Sequence, residues 1–327
     1  MTNRALLAEK TDSGYRVALK DIGDAELRGD VLVEVTYSSL NYKDGLAVTA
    51  KGKIIRKFPM VLGIDLAGTV VESSSPDYKP GDRVVACGQS LGETEWGGYA
   101  QRQRVRADVL VPLPAALSFE QAMALGTAGF TAMLCALALE QMDVRPSERE
   151  FVVTGAAGGV GSIAVMLLAK RGYKVAASTG RPELEPYLRS LGATSIVPRD
   201  ELAKKSAPLE SERWGGGVDT VGGQTLSTLF AQTAYGGAIA CCGMAGGGEL
   251  HAFVWPLILR NVSLLGVSSV QTPLAQRKRG WEALAREIDG AQLASLSRVE
   301  PLSRIQELAE EIVGGKVRGR VVIDVNR

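Results

Sequence analysis

The 327-residue sequence contains a single histidine, His251. One imidazole excludes a metal centre built from histidines and a His-dependent nucleophilic triad; His251 itself, in ELHAFVW, reads as a structural residue at a loop or strand edge. Cysteine is almost as scarce. Cys87, Cys135, Cys241 and Cys242 show no C-x-x-C spacing, which excludes a disulfide framework and fits a reducing compartment. The vicinal pair Cys241–Cys242 reads as part of a buried strand. No charge of one sign dominates, with 37 Lys+Arg against 36 Asp+Glu and a net of +1. Neither nucleic acid nor an anionic membrane surface is therefore expected as a partner. Long hydrophobic runs are missing too. Uninterrupted apolar runs such as Ile163 to Ala169 are far short of the about 18 residues that a membrane span needs. The opening MTNRALLAEKTDSG has no apolar signal core. A soluble, cytoplasmic protein is expected.

What is present suits a globular chain of about two domains. Hydrophobic residues make up 46% and charged residues 22%, enough for a sizeable core, and 38 glycines suggest backbone packed closely against a ligand or neighbour. The first third is β-rich. Asp30–Tyr37 alternates Val31, Val33 and Val35, and Asp65–Glu72 and Asp82–Ala86 read as two more strands around the turn SSSPDYKPG. Leu117–Met142 suits helices. From Glu150 the rhythm becomes strand–helix–strand: strands at Phe151–Thr154, Tyr173–Thr179, Thr194–Val197, Val218–Val221, Ala238–Cys242 and Val262–Ser268, with helices at Gly161–Arg171, Pro182–Leu191 and Leu226–Ala234. That alternation indicates βαβ units and a parallel sheet. The tail, with an amphipathic helix at Ile305–Val313 and a strand at Arg320–Val325, is expected to fold back onto the first domain. The fold class is α/β.

Phe151–Ser162, FVVTGAAGGVGS, carries the most information. A buried strand enters a glycine-dense turn and a helix starts at once, so free N–H groups and the positive end of the helix meet a pyrophosphate. Read as G-x-G-x-x-G, the pattern has Gly158 and Gly161, with Ala156 in place of the first glycine. Ala157, Gly158, Gly159 and Val160 are the candidate phosphate contacts. At the end of the second strand, where an NAD-preferring fold carries an acid, stand Ser178, Thr179, Gly180 and Arg181. A guanidinium binds a 2′-phosphate bidentately, whereas a carboxylate would repel it. NADPH is therefore expected as the cofactor, and Arg199 after the third strand is a second candidate for its adenosine end.

SLNYKD (Ser39–Asp44), FPMVLGIDLAGTV, GDRV, WGGYA, GTAGFTAMLC, VTGAAGGVGS and FVWPLILRNVSLLGV together resemble the zinc-independent quinone-oxidoreductase branch of the medium-chain dehydrogenase/reductase superfamily, over essentially the whole chain. The NYKD, ILRNV and STGR segments are most specifically similar to its acrylyl-CoA reductase group. The resemblance implies a GroES-like catalytic domain from residues 1–122 and 270–327 around a doubly wound Rossmann cofactor domain at 123–269, with the active site in the cleft between them. It implies no metal, since Asn41 and Gly63-Ile64-Asp65 stand where zinc-dependent relatives carry a ligand Cys and a Gly-His-Glu.

Such an enzyme would reduce the activated C=C bond of an enoyl thioester by direct hydride transfer. Asn41 and Tyr42 are the candidate catalytic residues, Asn41 as an amide donor and Tyr42 as proton donor, substrate orienter or cofactor contact. Asp44 is expected to be structural, pairing with a nearby cation. Thr127, Met244, Ile258 and Ser269 look like residues lining the nicotinamide half of the groove, although each also reads as ordinary core or loop. Lys51, Lys53, Arg56 and Lys57 form a basic cluster fit for the phosphates of a CoA ester. Two other functions stay open: an NADPH-dependent quinone or enone reductase, and an NADPH-binding protein without turnover. The edge strand Val262–Ser268 suggests a homodimer formed by pairing with its own copy.

Overall fold

The computed structural model describes residues 3–327. The chain forms two compact units, one running to Phe130 and resuming at Ser269, the other spanning Thr131–Ser268. The first boundary falls within the helix Phe119–Gln141, after Phe130 instead of after residue 122.

In the first unit the alternating valines form the strand Val31–Leu40, with Val31, Val33 and Val35 fully buried. It lies in a sheet ordered Ser297–Pro301, Arg320–Asp324, Val31–Leu40, Asp65–Ser73, Arg83–Cys87, Val111–Pro112, and Arg102–Val105 also pairs with Val31–Leu40. Arg320–Asp324 runs antiparallel to Val31–Leu40 with Val321 opposite Leu40, so the C-terminal tail does return to the N-terminal strands. The helix Ile305–Val313 buries Ile305, Leu308 and Ala309, spaced three and four apart, and two of them join the core that holds Val33 and Leu40. A hairpin of Asn3–Thr11 and Gly14–Ile22 carries no clear sequence signal, because its second strand is largely half-buried or exposed.

The second unit is a six-stranded parallel sheet in the order Ala193–Pro198, Val175–Thr179, Phe151–Val153, Trp214–Asp219, Thr233–Cys241, Ser263–Gly266. This is the doubly wound arrangement expected. Two elements differ from expectation. The strand placed at Val218–Val221 is Trp214–Asp219: Gly215–Gly217 hide its start, and Asp219 ends it by accepting the Gly222 N–H at 2.7 Å. The helix placed at Pro182–Leu191 is a 3-10 turn, Pro182–Leu184, followed by a short α-helix, Glu185–Ser190, with Pro186 in its first turn.

Phe119–Gln141 is by length and composition apolar enough to cross a membrane, although Gly126, Thr127, Gly129 and Thr131 interrupt its apolar residues. Its most apolar window is 78% buried within the protein, as befits a core helix. The helix kinks at Gly126, whose φ of 51° and ψ of −154° leave helical geometry.

Candidate functional site

The glycine turn of the second unit opens after Phe151–Val153 and leads through Gly158 into the helix Gly159–Lys170. Gly161 sits so close to the strand end that a Cβ there would stand 2.2 Å from the Gly155 carbonyl oxygen. Only glycine lets the helix begin this near the strand, and its first-turn N–H groups, lacking intrahelical acceptors, face out at the positive end of the dipole. The turn is fixed from behind. Ala156 N–H donates to the Ser178 carbonyl at 3.0 Å, Ser162 Oγ donates to the Ala156 carbonyl at 3.1 Å, and Tyr187 Oη donates to Ser162 Oγ at 2.9 Å. Ala157 is buried, while Gly158, Gly159 and Val160 are half-buried along the turn.

Two guanidiniums gather where Val175–Thr179 ends. Arg181 donates its backbone N–H to Thr179 Oγ1 at 3.1 Å and reaches back with Nη2 to the Ala157 carbonyl at 3.4 Å. Arg199 opens the helix after Ala193–Pro198 and lies against Gly180, where a Cβ would stand 2.7 Å from its Cζ. Its side chain is 64% exposed, with the Asp200 carboxylate no nearer than 4.0 Å. Ser178 and Thr179 are buried beside them. Five residues picked from sequence thus form one corner, which brings two guanidiniums beside the glycine turn.

The first unit holds a buried polar cluster around Asp65, which is fully buried. Its Oδ2 accepts from Ser39 Oγ at 2.5 Å, Asn41 Nδ2 at 2.9 Å and Thr127 N–H at 2.9 Å, and its Oδ1 accepts from Thr127 Oγ1 at 2.5 Å. Arg320 closes the cluster from the C-terminal strand. Its guanidinium donates to the Ala124 and Leu40 carbonyls at 2.9 and 3.1 Å, to Asn41 Oδ1 at 3.2 Å and to Ser39 Oγ at 2.9 Å. Burial lowers the Arg320 pKa, and burial with the Asp65 charge pushes the Cys87 thiol well up. Gly126 is required here as well, since a Cβ on it would meet Asp65 Oδ2 at 2.6 Å and Ser39 Oγ at 2.7 Å.

This cluster corrects two expectations. Asn41 donates its amide hydrogens inward, to Asp65, Asp44 at 3.2 Å and Ser39 at 3.2 Å, so it holds the loop instead of presenting an N–H to substrate. Among the described residues Asp44 forms no direct ion pair: it accepts the N–H groups of Asn41 and Ile64, each at 2.9 Å, and is structural in that sense. Burial first, and then the charge of Asp65, raises its pKa to about 7. Tyr42, the first residue of the helix Tyr42–Val48, is 45% exposed, its ring outside the network that clamps Asn41. Lys43 is engaged by Glu93 at 2.7 Å.

The remaining candidates are scattered. Met244 and Ile258 are each 74% exposed, so neither is a core residue, and Ser269 is buried. Lys51 is paired with Glu310 at 2.5 Å, while Lys53, Arg56 and Lys57 project exposed from the same loop. Ser39 and Arg320 were not foreseen; an arginine heading the apolar strand RVVID was the available signal. Among the described residues, no group of three or more His, Cys, Asp or Glu side chains comes together to hold a metal ion.

Two domain families match the chain: the alcohol dehydrogenase GroES-like domain over residues 27–115 and the zinc-binding dehydrogenase domain over residues 159–288. The chain is 50% identical to the acrylyl-CoA reductase AcuI of Ruegeria pomeroyi, over the full length of both. It is 44% identical to the putative quinone oxidoreductase YhfP of Bacillus subtilis, over 98% of each. Among solved structures, the YhdH oxidoreductase of Salmonella enterica in complex with NADP superposes with a TM-score of 0.96 at 48% identity, covering 98% of this chain and 99% of that one.

Proposed function

The chain belongs to the quinone-oxidoreductase branch of the medium-chain dehydrogenases/reductases, and from that premise we infer that it reduces acrylyl-CoA to propionyl-CoA with NADPH. The observation that carries this reading is full-length identity of one half to an acrylyl-CoA reductase, combined with a corner fit for a phosphorylated dinucleotide.

NADPH fits the residues present. The glycine cradle would be filled by any Cβ at Gly161, and two guanidiniums with the Ser178 and Thr179 hydroxyls suit a 2′-phosphate. When bound, the dihydronicotinamide supplies a hydride to the electrophilic β-carbon of the conjugated thioester. The protein's part is to orient the acyl group, stabilise its carbonyl oxygen as negative charge develops and let a proton reach the α-carbon. In this reading Tyr42 supplies that hydroxyl contact, because Asn41 and Thr127 have committed their hydrogens to Asp65. Replacing Tyr42 with Phe is expected to lower kcat roughly 10- to 100-fold with little change in NADPH affinity. Full turnover by that variant would remove its hydroxyl from the reaction.

Lys53, Arg56 and Lys57, with Lys51 beside them, are proposed to attract the phosphates of the CoA moiety. The reaction is proposed to run without zinc: Asn41 and Ile64 occupy ligand positions of zinc-dependent relatives, and the Asp65 carboxylate is saturated by four donors. A second reading, reduction of a quinone or enone, draws on the relative named a putative quinone oxidoreductase. Specificity constants with NADPH for acrylyl-CoA, crotonyl-CoA and a benzoquinone decide between them. Acrylyl-CoA should exceed the quinone by at least about tenfold, a difference of roughly 1.4 kcal/mol in transition-state binding; a quinone preference would reverse the assignment.

We further propose a cytoplasmic homodimer. Ser263–Gly266 is an edge strand, and Phe253, Trp255, Leu257, Ile258 and Leu259 form an exposed apolar patch in the segment before it. A second copy pairing along that edge would bury both. Light scattering should give twice the chain mass; a monomeric mass would contradict the dimer.

A further inference from the structure

The glycine turn after Phe151–Val153 is held at its entrance by the end of the neighbouring strand Trp214–Asp219, and all of these residues lie in the second unit. Thr154 is fully buried, and its N–H donates to the Val218 carbonyl at 3.0 Å. Its hydroxyl donates to Asp219 Oδ1 at 2.7 Å and accepts the Thr220 N–H at 2.9 Å. Its carbonyl accepts from Thr220 Oγ1, also at 2.9 Å. Asp219 is fixed in turn by the Gly222 N–H, at 2.7 Å on Oδ2. Every polar atom of Thr154 is thus engaged by residues 218–220. Because its hydroxyl hydrogen goes to a carboxylate, it presents only lone pairs to Thr220, which makes the order of donors and acceptors unique.

The chain reverses at the next residue. Gly155 has a φ of 59°, and a Cβ on it would stand 2.4 Å from Thr220 Oγ1. Its carbonyl accepts the Gly158 N–H at 2.9 Å, and Gly158 caps the helix Gly159–Lys170. A planar peptide joins Thr154 to Gly155, so holding the Thr154 carbonyl fixes the plane from which the turn departs, and with it where the first N–H groups of the helix lie. On the reading given above, that this turn receives the pyrophosphate of NADPH, we propose that Thr220 is a positioning residue for cofactor binding. It acts through the Thr154 carbonyl and donates nothing to the nucleotide, since its hydroxyl hydrogen goes to that carbonyl.

Isothermal titration of the full-length protein with three ligands tests this without reference to turnover. NADPH and NADH both carry the pyrophosphate. Adenosine 2′-monophosphate carries the phosphate assigned to the Arg181 and Arg199 corner and no pyrophosphate. One neutral hydrogen bond corresponds to about 5- to 10-fold in affinity. The Thr220→Val protein should bind NADPH and NADH weaker by that factor, both alike, and adenosine 2′-monophosphate within twofold of the parent. Thr220→Ser, which keeps the donor, should restore both dinucleotides to within twofold. Should Thr220→Val fail to fold, Thr220→Ala removes the same donor without adding a methyl group and decides with the same three ligands. Equal weakening of all three ligands would mean that Thr220 only supports the fold, and no weakening of the dinucleotides would mean that the turn does not depend on it; either result overturns the proposal. Failure of the parent protein to bind NADPH or adenosine 2′-monophosphate would instead overturn the cofactor reading on which it rests.

Discussion

Replacing Arg181 and Arg199 together with alanine is expected to weaken NADPH binding by roughly 100- to 1,000-fold while NADH binding changes less than about threefold. Each guanidinium faces the corner behind Thr179, one tied to Ala157 and the other lying on Gly180. A charge-assisted hydrogen bond contributes roughly 1.5–3 kcal/mol, and two of them near the lower end of that range, about 3–4 kcal/mol to one phosphate, give the stated loss. NADH has a hydroxyl where NADPH has the dianion, so it loses little. Either single substitution should fall between the parent and the double variant. Titration of the four proteins with both coenzymes provides the check, and an equal loss for NADH and NADPH would mean that the arginines support the loop and do not read the phosphate.

The second large effect is on stability. Arg320→Met keeps the length and apolar stem of the side chain but removes four hydrogen bonds, to Ala124, Leu40, Asn41 and Ser39. It also removes the buried positive charge on which the buried carboxylates of Asp65 and Asp44 act. Removing one partner from a buried charge network costs roughly 3–5 kcal/mol, so the melting temperature should drop by about 10 °C. Arg320→Lys should recover only part of the loss, because a single ammonium cannot span those acceptors. An unchanged melting temperature for Arg320→Met would show that the cluster does not depend on its cation.

The two halves of the candidate site differ in how far the sequence reveals them, and contact range explains why. The nucleotide corner is local: strand, turn and helix follow one another between Phe151 and Arg181, and the serine, threonine and arginine at its edge sit at a strand end that hydrophobic pattern alone locates. The alternation of Val31, Val33 and Val35, the helix at Ile305–Val313 and the order of parallel strands are equally matters of short period. The Asp65 cluster is assembled from residues 26, 24 and 62 positions away, and its arginine lies 281 positions from the Ser39 it binds. No period connects such residues. The motif containing Asn41 and Tyr42 was visible, but the direction of the Asn41 amide was not, since that depends on an aspartate 24 positions on, in the neighbouring strand. Gly215–Gly217 show the opposite failure: a real strand whose side chains are missing from the pattern because its neighbours pack too closely to admit them.

The most direct test follows the label in a single turnover. With NADPH deuterated at both C4 positions and acrylyl-CoA in ordinary water, the propionyl-CoA formed should carry one deuterium, on the β-carbon. With unlabelled NADPH in deuterium oxide, the deuterium should appear on the α-carbon. Label from the coenzyme found on the α-carbon, or no propionyl-CoA despite tight NADPH binding, would contradict hydride transfer to a conjugated double bond.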